Sequence, residues 1–304
     1  MNAEFILRAG FAFVVSIFIS RRGFRSKSLD LSGALAAVLV GFACALSSLC
    51  FFSSLLAFFL SSSRLTNFRA EVKRELEDDF KEGGQRNWVQ VMCNGGIATL
   101  VSLIYVVDKG CGERYIDYAH DFDASLMAMA VLGALACSCG DTWSSEIGTA
   151  IKSHTPRLIT TLRKVPVGTN GGVTIPGTVA SMTGGLFVGL AYYGTLYLTV
   201  LMRVKVEVPP QWPIIFIGLV AGFFGSIIDS FLGATVQYSG FCSVKKHVVN
   251  RPTATAKHIS GILLLDNHAV NLVSSAVTGF AMPIFGYYVW KYVNDSNHLV
   301  VMDS

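Results

Sequence analysis

Charged residues are scarce in this sequence. They make up 14% of its 304 residues, whereas hydrophobic residues make up 52%, and a soluble domain carries roughly 25% charged residues. A chain with so little charge and a mean hydropathy of +0.52 is poorly suited to a surface in water. The composition therefore predicts an integral membrane protein in contact with the lipid bilayer, and we expect no nucleic-acid partner.

Signatures of common metal and nucleotide sites are missing as well. The seven cysteines include no CxxC pair, and no histidine cluster lies near them at zinc spacing. The phosphate-binding patterns GxxxxGK[ST] and GxGxxG are absent. No Ser-His-Asp order or covalent nucleophile stands out either. These absences argue against a zinc site, a Walker-type nucleotide site and catalysis through a covalent intermediate.

Apolar runs and loop charges together predict eight membrane spans with both termini on the non-cytosolic side. A span needs about 20 apolar residues, and basic loops favour the cytosol. Loop 241–258 holds four basic residues and no acid, whereas loop 108–123 holds two basic and five acidic residues. The predicted spans are 3–20, a short hairpin of 31–47 and 48–62, then 88–107, 124–147, 172–202, 212–237 and 262–292.

The expected architecture is an all-α, polytopic transmembrane helix bundle that forms a single domain over residues 1–304, with some spans short or broken. The first span is followed at once by RRGFRSKS and has no small-residue cleavage site, so we interpret it as a retained span and not as a signal peptide. Residues 63–87 are expected to form a cytosolic loop, with a surface helix near 67–84.

A weak internal repeat is visible in four of the spans. Asn94-Gly95-Gly96 opens one span and Asp141-Thr142 closes the next, while Asn170-Gly171-Gly172 opens a third and Asp229-Ser230 closes a fourth. Parallel repeats of helical hairpins occur in several membrane proteins. Two short matches can also arise by chance.

Polar side chains gather near the predicted cytosolic ends of the spans. An ionisable residue within a span is costly and usually functional. The residues concerned are Asn94, Asp141, Glu146, Asn170, Asp229, Gln237, Asp266, Asn267 and Asn271.

The stretch SCGDTWSSEIG holds two of the carboxylates. Asp141 shares a helix face with Ser145, and Thr142 shares one with Glu146, but Asp141 and Glu146 diverge by about 140° on a regular helix. They can bind one ion only if the helix breaks, which Gly140 permits. Two interpretations stay open: an N-cap of a short re-entrant helix with Glu146 exposed, or a Mg²⁺ site of hard oxygen ligands.

The third carboxylate, Asp229, lies in a strongly apolar stretch. Asp229, Gly233 and Gln237 fall on one helix face. The side chain is expected either to bind a ligand or metal, or to lock two helices together by a hydrogen bond to Asn267 or Asn271.

The loop 164–178, KVPVGTNGGVTIPGT, is rich in glycine. Converging backbone amides and the start of the next helix favour phosphate, which indicates a phosphate site at Gly168, Asn170, Gly171 and Gly172 beside Lys164. A Gly-Pro-rich turn before a membrane helix has a similar composition.

Four of these motifs together resemble one family. They are GDTWSSEIG at 140–148, GTNGGVT at 168–174, GSIIDSFLGATVQYSG at 225–240 and DNHAVN at 266–271. In combination they resemble the transmembrane protein 19 family, which includes the plant phytyl-phosphate kinase, over about residues 30 to 290. GDTWSSEIG is also similar to the Gly-Asp motif of dolichol kinase-like and CTP-using lipid enzymes, a shorter likeness that implies a nucleotide donor.

The resemblance implies a Mg²⁺-dependent transferase of the kinase type. It would move a phosphoryl group from CTP or ATP to an isoprenoid monophosphate, phytyl or prenyl, at the cytosolic face of an endomembrane such as the endoplasmic reticulum. A membrane transporter and a non-enzymatic multi-pass protein are the alternatives. Asp141, Glu146 and Asp229 are the expected catalytic residues and metal ligands. The residues expected to bind substrate or nucleotide are Asn94, Thr142, Ser145, Lys164, Gly168, Asn170, Gly171, Gly172, Gln237, Asp266, Asn267 and Asn271.

Overall fold

The computed structural model describes residues 3–68, 85–151 and 154–302. Seven of the helices in these residues are long and apolar enough to cross a membrane, and the 17-residue α2 is shorter. The prediction of a polytopic, all-helical membrane protein is therefore confirmed. The helices are α1 (Ala3–Arg25), α2 (Leu31–Ser47), α3 (Leu49–Phe68), α4 (Trp88–Lys109), α5 (Phe122–Ala150), α6 (Ile175–Leu196), α7 (Pro213–Val236) and α8 (Asn267–Met302).

The predicted short hairpin is present as α2 and α3. Asp30 caps α2 by accepting a hydrogen bond from the Gly33 amide at 2.8 Å, and Ser48 alone separates the two helices. Helix α3 runs to Phe68 and so passes beyond the predicted end at residue 62. Most of the predicted surface helix at 67–84 lies outside the described residues, so it stays a prediction.

Two small β-sheets form in segments that the sequence predicted only as loops. Strands β1 (Arg157–Leu158) and β2 (Gly172–Val173) pair antiparallel. Strands β3 (Ser239–Cys242), β4 (His247–Val249) and β5 (Ala256–Ser260) form an antiparallel sheet in the order β4-β3-β5. The basic loop 241–258 is thus largely folded, and the last span begins at Asn267, later than the predicted residue 262.

The helices alternate in direction between two ends of the bundle. At one end, the Arg86 end, the Arg86 amide donates to Ser28 O, next to the start of α2. At the opposite, Glu113 end, the Glu113 carboxylate accepts from the Leu49 amide at 2.8 Å. Helices α1, α3, α5 and α7 finish at the Arg86 end, and α2, α4, α6 and α8 begin there.

Glycines bring α5, α6 and α7 into backbone contact. A Cβ atom added to Gly140 on α5 would lie 2.7 Å from Gly222 Cα on α7. One added to Gly185 on α6 would lie 2.8 Å from the same Gly222 Cα. Small residues allow this close approach. Helices in a membrane gain little from the hydrophobic effect when they associate, so close van der Waals packing holds them together instead.

An ion pair at the Glu113 end gives a pH-dependent prediction. Burial raises the pKa of Glu113, but hydrogen bonds from Arg8 and the Leu49 amide outweigh it, and the net pKa lies below the ordinary value. The resulting stability is present above the unfolded-state pKa and is lost as pH falls through the folded-state pKa. We expect Glu113→Gln to destabilise the protein by about 1 kcal/mol at pH 7.

Thermal melts in detergent from pH 7 down to pH 3 check this prediction. The difference between wild type and Glu113→Gln should shrink as the pH falls below about 4. Asp108→Asn is the matched control, because the Asp108 side chain is 52% exposed where it pairs with Lys109. A difference that is constant across the pH range would contradict the assignment.

Candidate functional site

Asp141 and Asp229 lie side by side on the neighbouring helices α5 and α7. The two helices run in the same direction, and Cys137 on α5 packs against Gly225 on α7, where an added Cβ would lie 2.6 Å from Cys137 Cβ. Four residues on, the same helix faces carry Asp141 and Asp229. The Asp229 charge therefore acts on the Asp141 carboxyl group.

Helix α8 supplies hydrogen bonds to Asp229. Ser274 Oγ donates to Asp229 Oδ2 at 3.2 Å. With its amide oriented to satisfy its neighbours, Asn271 also donates to Asp229 Oδ2 at 3.2 Å and to the backbone oxygen of Asn267 at 2.9 Å. The predicted contact between Asp229 and Asn271 therefore exists, whereas Asn267 takes part through its backbone and has an exposed side chain.

Asn94 on α4 completes the group. Its amide meets that of Asn271 at 3.1 Å, and its backbone oxygen accepts from Ser138 Oγ at 3.0 Å. Four helices thus contribute to one polar site near the Arg86 end. We call it the carboxylate cluster, formed by Asn94, Asp141, Asp229, Asn271 and Ser274.

Neither acid of the carboxylate cluster has a cationic partner in the described part of the chain, where no ion pair to Asp141 or Asp229 is found. No group of three or more His, Cys, Asp or Glu side chains converges there either. The site therefore offers two carboxylates, together with amide and hydroxyl oxygens.

Glu146 is separate from the carboxylate cluster. Helix α5 continues through Gly140, so the predicted break does not form, and Gly140 serves packing against α7 instead. Glu146 is 3% exposed and accepts from Thr66 Oγ1 on α3 at 2.7 Å. The interpretation as a re-entrant N-cap with Glu146 exposed is wrong, and an uninterrupted helix does not allow Asp141 and Glu146 to share one ion.

The remaining predicted residues of the helix ends mostly serve local structure. Thr142 Oγ1 donates to the backbone oxygen of Ser138 at 2.8 Å, and the exposed Ser145 donates to that of Thr142 at 3.0 Å. Asp266 caps α8 through the Ala269 amide at 2.8 Å. Gln237 is buried at the end of α7.

The glycine-rich loop is fixed against α7 and β3. Gly171 has φ +75°, and an added Cβ would lie 2.6 Å from the Ala234 amide, which explains the need for glycine. The Gly172 amide donates to Thr169 O at 3.0 Å, and the Asn170 amide donates to Ser239 Oγ at 3.0 Å. Those two amides are already used within the protein.

This packing explains the glycine at 171 and the use of two backbone amides without a bound phosphate. Gly168 and Lys164 are exposed on the same loop, and a role for them, Asn170 and Gly171 in nucleotide binding stays a prediction.

Sequence reasoning missed Arg86. It lies just before Asn87, the N-cap residue of α4, which accepts a hydrogen bond from the Gln90 amide at 3.0 Å in a capping box. Arg86 Nη1 donates to Ser63 Oγ on α3 at 2.7 Å, and the Glu146 charge acts on it. The capping pattern N-x-x-Q could have located Arg86 at a helix start, but not its partners on α3 and α5.

The fold and the carboxylate cluster define a polytopic helical membrane protein with a polar site inside its bundle. Over residues 14–279 the chain matches the family described as integral membrane protein DUF92, and it belongs to that family. The match includes every residue of the carboxylate cluster.

Several relatives share this sequence over most of its length. The chain is 42% identical to Protein PGR of Arabidopsis thaliana over 282 residues, which is 92% of this chain and 96% of that protein. It is 26% identical over 258 residues to an uncharacterized membrane protein of Methanocaldococcus jannaschii, 84% of each chain. An uncharacterized membrane protein of Synechocystis is 27% identical over 182 residues, 60% of this chain and 61% of that protein. No solved structure matches.

Proposed function

We propose that this protein transfers a phosphoryl group from a nucleoside triphosphate to an isoprenoid monophosphate, with Mg²⁺ bound at the carboxylate cluster. The observation that carries the proposal is that α5 and α7 bring Asp141 and Asp229 side by side, one turn beyond the Cys137–Gly225 contact, without a cationic partner among the described residues. Two such groups in a low dielectric repel each other unless they share a proton or a cation. A divalent cation relieves that repulsion.

The residues present fit Mg²⁺. This ion is commonly held by one or two carboxylates, with water and substrate phosphates completing its shell. Asp141 and Asp229 supply the carboxylates, and the neighbouring Asn94, Asn271 and Ser274 supply further oxygen atoms. No histidine or thiolate is needed, which suits a hard cation better than zinc. Glu146 is not among these ligands.

The cluster can position a phosphoryl transfer without a covalent nucleophile. An oxygen of the lipid monophosphate would attack the γ-phosphorus, a new P–O bond would form, and the bond to the β–γ bridging oxygen would break to release the nucleoside diphosphate. Bound Mg²⁺ supplies charge neutralisation of the transferring group. Asn271 and Ser274 hold the Asp229 carboxylate in place.

Further parts of the proposal rest on the resemblance to the transmembrane protein 19 family and its plant phytyl-phosphate kinase. They are CTP or ATP as donor, a phytyl or prenyl chain on the acceptor, the cytosolic face, and an endomembrane such as the endoplasmic reticulum. Exposed Lys164 and the glycine-rich loop would meet the nucleotide. The name of the Arabidopsis relative states no reaction.

A turnover assay on detergent-purified protein tests the proposal. Phytyl, farnesyl and geranylgeranyl monophosphates are each combined with CTP or ATP and Mg²⁺, and the lipid diphosphate is followed by mass spectrometry. We expect diphosphate from at least one pair, and none when EDTA replaces Mg²⁺. No product from any pair would contradict the proposed reaction.

Ion-coupled transport is the second candidate, and the depth of the carboxylates favours it. Asp141 lies nine residues before the end of α5 and Asp229 seven before the end of α7, which is about 10–14 Å along the helix axes. Transporters bind coupling ions near the bilayer midplane. Substrate uptake into vesicles that requires both aspartates, without diphosphate formation, would favour this candidate.

A further inference from the structure

An apolar groove lies between α1, α2, α3 and α4. Its walls include Ile19 on α1, Val40 on α2, Phe52 and Phe59 on α3, and Gly95 on α4. On α2 the lining reaches Gly41, ten residues past Leu31, which is about 15 Å from the Arg86 end. The lining residues therefore extend over about 15 Å of the bundle, a length comparable with part of an extended hydrocarbon chain.

A row of polar groups follows one edge of the groove. Arg86, Gln90 and Asn94 all line it at intervals of four residues, so they lie on one side of α4 and the segment just before it. Among the described residues that line the groove, Arg86 is the charged one. The groove thus carries a cation at the Arg86 end of the bundle.

Arg86 has hydrogen-bonding capacity to spare. A guanidinium group has five N–H donors, and in the described part of the chain Arg86 uses one of them, to Ser63 Oγ at 2.7 Å. Its Cζ lies 6.0 Å from the centroid of the Phe59 ring, which lines the groove. Desolvation lowers the pKa of Arg86, and the Glu146 charge offsets part of that effect.

Asn94 connects the groove to the carboxylate cluster. It lines the groove, and its amide meets that of Asn271 at 3.1 Å. Asn271 in turn donates to Asp229. Asn94 lies eight residues after Arg86, about 12 Å along a helix, so the groove that would pair a phosphate with Arg86 extends to the carboxylate cluster at Asn94.

We propose that this groove binds the lipid substrate, with a single isoprenoid-type chain along its apolar wall and the monophosphate paired with Arg86. The planar fork of a guanidinium matches phosphate oxygens in a bidentate way, and the apolar wall excludes a free polar phosphate ester. The assignment of the groove to the lipid substrate rests on the proposed function, but its test measures binding alone, without turnover and without nucleotide.

The test compares ligands that differ in one part. Purified wild-type protein in nanodiscs is titrated with farnesyl monophosphate, farnesol, inorganic phosphate and dioleoyl phosphatidic acid, with binding followed by native mass spectrometry. We expect farnesyl monophosphate to bind most tightly, farnesol at least about tenfold more weakly, and inorganic phosphate not at all at the same concentrations. Equal binding of phosphatidic acid would overturn the proposal, because two acyl chains do not fit a single-chain groove.

Variants separate the head group from the chain. Arg86→Gln should weaken farnesyl monophosphate at least about tenfold and leave farnesol unchanged, with Arg86→Lys in between because it keeps the charge and loses the fork. Ala37→Phe fills the groove and should weaken both ligands. Arg64→Gln is the matched control, since Arg64 is exposed on α3 and does not line the groove.

Arg86→Gln can also destabilise the protein, because it removes a cation on which the Glu146 charge acts. The double variant Arg86→Gln, Glu146→Gln removes both charges and keeps the test decisive. Unchanged affinity for farnesyl monophosphate in a folded Arg86 variant, or an equal loss for farnesol, overturns the inference. Binding that depends on Arg86 without any turnover supports the groove as the lipid site and contradicts the proposed reaction. Turnover together with binding that does not depend on Arg86 supports the reaction and contradicts the groove as the lipid site.

Discussion

Asp141→Asn and Asp229→Asn each lower the rate of phosphoryl transfer by about 10²–10³-fold or more in our account. Asparagine keeps the size of the side chain but removes the negative charge that holds Mg²⁺. The two carboxylates come from different helices, α5 and α7, and the proposed site needs both of them as ligands. Initial rates of diphosphate formation by each purified variant, at saturating Mg²⁺, measure the effect.

Measurements of thermal stability distinguish a metal-binding role of Asp141 and Asp229 from a purely structural role in holding helices together. Mg²⁺ at 100 times its Kd should stabilise wild type by about 2.7 kcal/mol and leave both variants unchanged. Without Mg²⁺, Asp141→Asn should melt at or above the wild-type temperature, because it relieves repulsion. If Asp229 is only a helix lock to Asn271 and Ser274, Asp229→Asn lowers the melting temperature and Asp141→Asn retains full activity.

Glu146→Gln and Ser145→Ala are the controls for that experiment. Glu146 lies with Thr66 on the other side of α5, and Ser145 is exposed. We expect both variants to keep the Mg²⁺-dependent thermal shift of wild type. Loss of the shift in Glu146→Gln would show that Glu146 belongs with the metal after all.

Gly185→Ala destabilises the protein by about 3 kcal/mol or more, which is the second large effect we expect. An added Cβ at Gly185 meets the backbone oxygen of Gly218 and lies 2.8 Å from Gly222 Cα. These are backbone atoms of α7, which cannot rotate away as a side chain can. The helix must therefore shift, and Asp229 shifts with it.

Gly194→Ala is the matched control on the same helix. Nothing lies within 4 Å of a Cβ at Gly194, so alanine there should stabilise α6 by up to about 1 kcal/mol. Thermal melts and size-exclusion profiles in the same detergent compare the two variants. A Gly185→Ala protein that melts like wild type would mean that α6 and α7 are not in backbone contact.

Much of the fold could be predicted from the sequence because the bilayer imposes simple rules. Apolar length and loop charge located the hairpin of α2 and α3, although α2 has 17 residues. Loop charge carries no information on strand pairing, however. The loop 241–258 was therefore seen as basic, while its β3, β4 and β5 strands were not.

The candidate site could be predicted only in part. The repeated aspartates indicated that Asp141 and Asp229 are related, and the Cys137–Gly225 contact explains why they meet. The Asn-Gly-Gly half of the repeat is not equivalent in structure, since Gly95 lies within α4 while Gly171 is in a loop with φ +75°.

The contacts of Glu146 and Arg86 with other helices could not be predicted from the sequence, for a physical reason. Their positions depend on the rotation and register of α3 against α5, as in the 2.7 Å contact between Thr66 and Glu146. Helix periodicity gives the relative directions of two side chains on one helix, as it did for Asp141 and Glu146. It does not give the face that a neighbouring helix presents.

Transfer of the γ-phosphate itself tests the central claim most directly. Purified wild-type protein is incubated with Mg²⁺, an isoprenoid monophosphate and nucleoside triphosphate carrying radioactive phosphorus at the γ position, with Asp141→Asn in parallel. We expect label in the lipid diphosphate with wild type and none with the variant. Label that stays out of the lipid for every donor and acceptor, or that enters it equally with Asp141→Asn, would contradict phosphoryl transfer at the carboxylate cluster.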